Sequence, residues 1–250
     1  MDFSNKVVIV TGASSGIGAK SAILFAKYGA KLTLVGRNEQ RLRHTAEMCM
    51  MVNAVPPLCL QLDLTTKGSC DTVITKTASR YDRIDVLVNC AVKLVMGSLF
   101  DDNIDSFDEM IAINLRVPYK LSQLAVPYLV KTKGNIVNLN GMMFPRVRHG
   151  FLPYSISKSG LEQFTKAAAV ELASAGVRVN SVQPGLTRTN ILSNLAMGER
   201  DIARTYEKLS DEMKILEPDE VAKLVVFVGS DVCPNLNGAD ICMDGASYVL

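Results

Sequence analysis

Short runs of consecutive apolar residues alternate along the chain with longer stretches whose apolar positions recur every three or four residues. The continuous runs predict strands over 7–10, 31–35, 58–62, 86–89, 135–139, 177–182 and 240–243. The periodic stretches predict helices over 17–28, 39–51, 67–81, 107–131, 154–175 and 218–229. Strands separated by helices pair in parallel through right-handed crossovers, with helices covering both faces of the sheet. The expected fold class is therefore α/β, a doubly wound parallel sheet. No repeat, low-complexity tract or linker divides residues 1–250, which are read as one domain. The one long segment without clear periodicity, 186–216, mixes polar and apolar residues and has room for short helices. A stretch of that length in a compact domain is expected to be functional, here as a lid over a substrate site.

The first strand run, Val7-Val8-Ile9-Val10, leads into Thr11-Gly12-Ala13-Ser14-Ser15-Gly16-Ile17-Gly18, and an apolar-periodic segment follows. A strand, a glycine-rich turn and a helix start form a phosphate cradle. Glycine turns with positive φ and lets a ligand approach the backbone, and the helix N-terminus presents free N–H groups to an anion. At the front of an alternating α/β chain this is the arrangement of a Rossmann-like dinucleotide site.

Bulk properties narrow the field. The chain has 250 residues, 48% hydrophobic, with a net charge of +2 and no tryptophan. That balance lacks the basic stripe and the aromatic platforms of a nucleic-acid binder. The six cysteines have no CxxC spacing and are read as free thiols in a reducing compartment. No run is long enough for a membrane span, the N-terminus has no leader pattern, and the C-terminus carries neither a peroxisomal tripeptide nor a prenylation box. A cytoplasmic protein is expected. His44 and His149 have no partners at metal spacing, so no metal is expected.

In open α/β sheets ligands sit beyond the carboxyl ends of the strands. After the second strand stands Gly36-Arg37-Asn38. An acidic residue there would grip ribose hydroxyls; Arg37 instead suits a 2′-phosphate. Asp63-Leu64 follow the third strand, and Asn89-Cys90-Ala91-Val92 follow the fourth. Asn114 interrupts a good helical pattern, and is kept either as a surface residue or to hold a water. Tyr154 and Lys158, four apart, share one helix face. Pro184-Gly185-Leu186-Thr187-Arg188-Thr189, after the sixth strand, offers hydroxyls and backbone groups able to hold an amide.

In this order and spacing, from Val7 to Gly245, the motifs resemble the short-chain dehydrogenase/reductase family. The resemblance implies an oxidoreductase that uses NADP(H), with NAD(H) the less favoured cofactor. It implies that Gly12, Gly16 and Gly18 form the cofactor loop, that Ser14, Ser15 and Ile17 line the phosphates, and that Arg37 selects NADP(H). It also implies that Asp63 and Leu64 flank the adenine, that Asn89 and Ala91 lie along the cofactor, and that Pro184, Gly185, Thr187 and Thr189 approach the nicotinamide carboxamide. Asn114, Tyr154 and Lys158 match three members of the family's catalytic tetrad, and Tyr154 and Lys158 also touch cofactor. The implied assembly is a homotetramer or homodimer, with the helices at 107–131 and 154–175 as contact faces.

The implied chemistry needs Tyr154 as the acid for a developing alkoxide, or as the base in reverse. Free tyrosine titrates near about 10, so bringing the phenol near neutrality takes roughly 4 kcal/mol of preferential stabilisation of the phenolate, expected from Lys158. Asn114 would anchor a water relaying protons from Lys158. Where the family places a serine whose hydroxyl polarises the substrate carbonyl, thirteen positions before the tyrosine, this chain has Gly141. Losing one such donor costs about 10²–10³ in rate. Asn140 re-aimed by a bulge, an ordered water or a substrate hydroxyl are the candidate replacements. The alternative is an NADP(H)-binding protein with weak or no catalysis. The expected substrate is an apolar alcohol with its ketone or aldehyde, steroid-, terpenoid- or acyl-like. Leu94, Val95, Met96, Met142, Met143, Phe144, Leu192, Leu195 and Met197 are candidate pocket walls, and Arg146-Val147-Arg148-His149 is either a solvated loop or a grip on an anionic tail.

Overall fold

Seven parallel strands form one sheet in the order β3-β2-β1-β4-β5-β6-β7. They are β1 (Val7–Thr11), β2 (Lys31–Gly36), β3 (Leu58–Gln61), β4 (Val86–Asn89), β5 (Asn135–Leu139), β6 (Arg178–Pro184) and β7 (Asp240–Met243). The computed structural model describes residues 1–102, 104–141, 149–195, 198–211 and 213–247, without the side chains of Asn194 and Glu199. The helices are α1 (Gly16–Lys27), α2 (Glu39–Val52), α3 (Ser69–Tyr81), α4 (Asp105–Ile111), α5 (Val117–Thr132), α6 (Leu152–Leu172), α7 (Glu199–Ser210) and α8 (Pro218–Gly229).

Strand residues alternate between two cores, as the period of two requires. Val8, Val10, Val86, Val88 and Val137 pack with Phe25, Ala22, Val221 and Val225 on the α1/α8 face. Ile9, Leu87, Ile136 and Val179 pack with Val73, Leu121 and Leu129 on the α3/α5 face. Both faces are apolar because both are covered, which is why these strands read as unbroken apolar runs.

The helix expected over 107–131 is not continuous. α4 gives way to a π-helical turn at Ala112–Arg116 before α5 begins, and the Val117 N–H bonds back five residues to the carbonyl of Ala112. Pro118 has no N–H to give the carbonyl of Asn114 four residues back, so the α-helical ladder fails at this point. The 186–216 segment is also more ordered than its sequence suggests. It contains a 3-10 turn at Asn190–Leu195 and the three-turn α7. Leu186, Leu192, Tyr206 and Leu209 from this segment pack with Leu94, Met110 and Tyr154 in a third core.

Chain order reverses across the sheet between β1 and β4, and there Thr11 joins them. Its buried hydroxyl donates to the Val88 carbonyl (3.2 Å) and accepts from the N–H groups of Cys90 (2.9 Å) and Ala91 (3.0 Å). Thr11→Val keeps the shape but leaves two buried N–H groups without their acceptor. It is expected to lower unfolding free energy by about 2 kcal/mol, read as a shift in denaturation midpoint without a change in slope. An unchanged midpoint contradicts this account of the junction.

Candidate active site

A cleft of about 600 Å³ opens along the carboxyl ends of the strands, centred on the β1/β4 reversal. Its floor is the 12–18 loop. Gly12 turns at φ +67° and lies so near the post-β4 segment that a Cβ would stand 3.0 Å from the Ala91 backbone. At Gly18 a Cβ would meet the Gly12 carbonyl oxygen at 2.4 Å, so α1 can start this close to the loop only with glycine there. Ser15 precedes α1 in an extended conformation, its side chain caps nothing, and the first turn carries no acid. The helix N-terminus thus keeps its N–H groups for an anion.

At one end of the cleft, beyond β2, stand Arg37, Asn38 and Arg41, with Asp63, Leu64 and Thr65 opposite. Asn38 caps α2 through the Arg41 N–H (2.9 Å), which brings Arg41 to the same end as Arg37. Bonds from the Thr65 hydroxyl (2.6 Å) and N–H (2.9 Å) hold the Asp63 carboxyl below its usual range, helped by the charges of Arg37 and Lys93. Gly36 admits no side chain without displacement, since a Cβ would stand 3.0 Å from Ser14 Cβ. With glycine at that position no acidic grip on a ribose is offered there.

At the other end α6 presents Tyr154 and Lys158 on its cleft-facing side, both buried. Lys158 Nζ donates to the Leu139 carbonyl (2.9 Å) and lies 5.8 Å from the centre of the Tyr154 ring. Burial pushes the Tyr154 phenol above its ordinary value and lowers the Lys158 amine to about 8. Burial thus works against the lowering that the chemistry requires, which Lys158 and a bound oxidised nicotinamide would have to offset. Cys90 also faces Lys158, and burial raises its thiol to about 12, which keeps it protonated and unreactive.

The wall above the cleft is the 185–193 segment. Thr187 Oγ1 donates to the Gly185 carbonyl (3.0 Å), and the Thr189 methyl lies over Gly16. Tyr206 of α7 fixes this wall. Its hydroxyl accepts from the Thr189 N–H (3.3 Å) and lies within donating distance of the Thr187 and Thr189 carbonyls (3.2 and 3.1 Å).

The cleft brings together Gly12, Ser14, Ser15, Gly16, Ile17, Gly18, Arg37, Asp63, Leu64, Ala91, Tyr154, Lys158, Pro184, Gly185, Thr187 and Thr189. Two expected residues do not line it. Asn89 turns under the sheet, where its carboxamide donates to Asn138 Oδ1 (2.9 Å) and lies 3.5 Å from the Ser122 hydroxyl. Asn114 is neither on the surface nor in the cleft. It is buried in the π turn, and its carboxamide pairs with both the N–H and the carbonyl of Lys93 (3.1 Å each) and with the Ser157 hydroxyl (3.1 Å). It fixes the post-β4 segment against α6.

Asn140 stays in the register of β5, its N–H bonded to the Val182 carbonyl (2.9 Å); it belongs to the cleft lining, and its buried carboxamide oxygen has no hydrogen-bond partner among the described residues. No bulge re-aims it. Gly141 follows with φ +142°, a backbone conformation in which a side chain is strained, so serine is not simply missing from an otherwise unchanged strand end. Leu94 and Leu192 are core residues of the third cluster, with Val95 and Leu195 packed against it, and Met96 is half exposed. None of the five lines the cleft, whose apolar walls are Val92, Ile113, Leu186 and Ile191. Met142, Met143, Phe144, Arg146, Val147, Arg148 and Met197 lie outside the described residues; His149 is exposed.

Sequence reasoning missed Thr11, Arg41, Lys93 and Tyr206. A threonine closing an otherwise apolar strand, and an arginine one turn after Arg37, were the available clues. Lys93 and Tyr206 reach the site only through tertiary packing. Among the described residues there is no cluster of metal-ligating side chains, and no helix is long and apolar enough to cross a membrane.

Comparison with known proteins agrees with this geometry. A family model described as enoyl-(acyl carrier protein) reductase matches residues 12–246. A meso-2,3-butanediol dehydrogenase of Serratia marcescens is 31% identical, over 99% of this chain and 96% of that protein. A short-chain dehydrogenase/reductase of unknown function from Caenorhabditis elegans, solved with cofactor, superposes with a TM-score of 0.93 at 31% identity, covering 99% of this chain and 97% of that one. An L-sorbose reductase from Gluconobacter frateurii, solved with NADPH and L-sorbose, gives a TM-score of 0.90 at 25% identity, covering 100% of this chain and 99% of that one.

Burial of Lys158 is directly measurable. Titration of the lysine ε-carbons by NMR is expected to show one amine with a midpoint near pH 8. A lysine whose pKa is lower folded than unfolded binds fewer protons folded, so the fold should gain stability as pH rises from about 8 towards the ordinary value of 10.5. A Lys158 midpoint at or above 10 contradicts the described burial.

Proposed function

The chain belongs to the short-chain dehydrogenase/reductase family and is an oxidoreductase, and from that premise we propose that it interconverts an apolar alcohol and its ketone or aldehyde with NADP(H). The observation that carries this reading is a cleft that joins a glycine-loop anion cradle, two arginines at one end and a buried Tyr154–Lys158 pair at the other.

The cleft fits a dinucleotide on three counts. Glycines clear the floor where a Cβ would collide, α1 starts uncapped, and paired walls flank each end. Gly12, Ser14, Ser15, Gly16, Ile17 and Gly18 would hold the pyrophosphate, and Asp63 and Leu64 the adenine. Arg37 with Arg41 would hold the 2′-phosphate, favoured by the glycine, not an acid, at position 36. Ala91, Pro184, Gly185, Thr187 and Thr189 would face the nicotinamide end. A bound nicotinamide supplies or accepts the hydride.

Tyr154 Oη gives its proton to the carbonyl oxygen as the alcohol forms. A phenol is protonated at neutral pH, and burial of Tyr154 favours that neutral form further. Lys158, held by the Leu139 carbonyl, supplies positive charge behind the phenol as the phenolate develops. Asn114 positions the Lys93 segment. Val92, Ile113, Leu186 and Ile191 exclude water around the reacting carbon. We further place the protein in the cytoplasm as a homotetramer or homodimer, joined through α5 and α6, whose outer faces carry the exposed Tyr119, Ile156 and Val170. The rival reading, a binder with little turnover, is favoured only by Gly141.

In Tyr154→Phe, carbonyl reduction is expected to fall by at least about 10² in kcat, with NADPH affinity by calorimetry retained. Undiminished turnover refutes the mechanism, and binding without turnover in the wild-type protein favours the rival. Arg37→Ala and Arg41→Ala are each expected to shift the NADPH/NADH preference by about tenfold or more towards NADH, the size of a lost charged hydrogen bond. An unchanged ratio in both contradicts the phosphate assignment.

A further inference from the structure

The 186–189 turn is held along both edges, and one hydrogen-bonding group on it is left over. Leu216 takes one edge: its N–H donates to the Leu186 carbonyl and its carbonyl accepts from the Arg188 N–H, each at 2.8 Å. In an extended residue the N–H and the carbonyl point to the same edge, so those of Thr187 lie on the edge away from Leu216. Tyr206 takes that second edge. Its hydroxyl accepts from the Thr189 N–H (3.3 Å) and stands within donating distance of the Thr187 (3.2 Å) and Thr189 (3.1 Å) carbonyls. One phenol thereby touches three consecutive peptide units, 187–188, 188–189 and 189–190. Among the described residues the Thr187 N–H has no partner, although Thr187 is buried and lines the cleft. A buried N–H left unpaired is rare and calls for an acceptor.

We propose that Tyr206 is a positioning residue for the cofactor: its hydroxyl clamps the 187–189 turn so that the Thr187 N–H is kept for an acceptor on the nicotinamide end of NADP(H). This rests on the reading above, in which Thr187 faces that end, and adds to it a residue of α7 that stands behind the cleft wall rather than in it. The acceptor a nicotinamide carries is its carboxamide oxygen. A fixed N–H on that oxygen sets the turn of the ring about its bond to the ribose, and so sets which face of the ring meets Tyr154.

The ring of Tyr206 is seated independently of its hydroxyl. It is buried in the third core with Leu186, Leu192 and Leu209, and the Arg188 guanidinium, bonded to Glu217, lies 5.1 Å from the ring centre. Burial raises the phenol above its ordinary value, so the hydroxyl keeps the proton it donates. That single proton serves the Thr187 and Thr189 carbonyls between them, while the oxygen holds the Thr189 N–H. Phenylalanine at 206 keeps the ring contacts and removes the clamp. The turn then retains its Leu216 edge, but three peptide units lose their common partner, and the Thr187 N–H loses its fixed direction. Arg37, Arg41 and Asp63, at the other end of the cleft, have no part in this.

The test measures binding at the two ends of the cofactor separately, in the wild-type protein and in Tyr206→Phe. NADP+ and thio-NADP+, whose sulfur is the weaker acceptor, report on the nicotinamide end. The fragment 2′,5′-ADP, which lacks that end, reports on the other. By calorimetry Tyr206→Phe is expected to bind NADP+ about tenfold more weakly, the size of one hydrogen bond, and 2′,5′-ADP within about twofold of wild type. It should also lose the wild-type preference for NADP+ over thio-NADP+. A merely structural role would weaken all three ligands alike; that result overturns the proposal, and so does an unchanged affinity for NADP+. A second measurement needs no variant. In 15N spectra of the wild-type protein the Thr187 amide proton should move downfield with NADP+ saturating and stay in place with 2′,5′-ADP. A Thr187 amide that ignores bound NADP+ overturns the proposal, whether or not Tyr206→Phe folds, and leaves the oxidoreductase reading intact. A wild-type protein that takes up 2′,5′-ADP and NADP+ with no measurable affinity overturns both.

Discussion

The structure hangs on the Thr11 hydroxyl at the point where the strand order reverses. Helices leave β1 and β4 towards opposite faces of the sheet, and the parted chain would leave two backbone N–H groups exposed in the gap. Thr11 takes up both, from Cys90 and Ala91, and donates to Val88 in turn. The crevice is thereby held open at a fixed width with its polar groups satisfied. Gly12 then brings the loop against Ala91, and Gly18 lets α1 start at once. The glycine loop and the Ala91 segment, the two parts of the cleft nearest the reversal, are positioned from that junction.

Burial acts on the site in two opposed ways. It buries the groups at the Tyr154 end of the cleft, and it makes charge expensive there. Desolvation favours the neutral phenol at Tyr154 and the neutral amine at Lys158. A protonated phenol beside a lysine that holds its proton below about pH 8 is an acid awaiting a developing negative charge. Asn114 and Tyr206 contribute indirectly. One locks the Lys93 segment to α6, and the other ties the 187–189 wall to α7, so both sides of the cleft are set by buried hydrogen bonds rather than by surface loops.

The sheet was legible because strands covered on both faces show as unbroken apolar runs, and β4, β5 and β7 have the bounds their runs suggest. The glycine loop and the Tyr154–Lys158 spacing were legible because each is local, fixed by neighbours within one turn. What depended on side-chain direction was not. Asn89 sits at the right strand end but points under the sheet, and Asn114 breaks its helix in concert with Pro118, four residues away. Leu94 and Leu192 looked like pocket walls and are core, since apolar composition cannot distinguish the two. The φ of Gly141 has no trace in composition at all. The sequence there shows an absent hydroxyl; the structure shows a backbone that only glycine adopts without strain.

The central claim is that NADP(H) crosses the β1/β4 reversal and presents its reactive ring to Tyr154. A crystal structure with NADP+ tests it most directly. The account predicts the pyrophosphate on the 12–18 loop, the 2′-phosphate between Arg37 and Arg41, and the nicotinamide facing the Tyr154 hydroxyl beside Gly141. A cofactor seated elsewhere, or one whose nicotinamide turns away from Tyr154 into solvent, contradicts it.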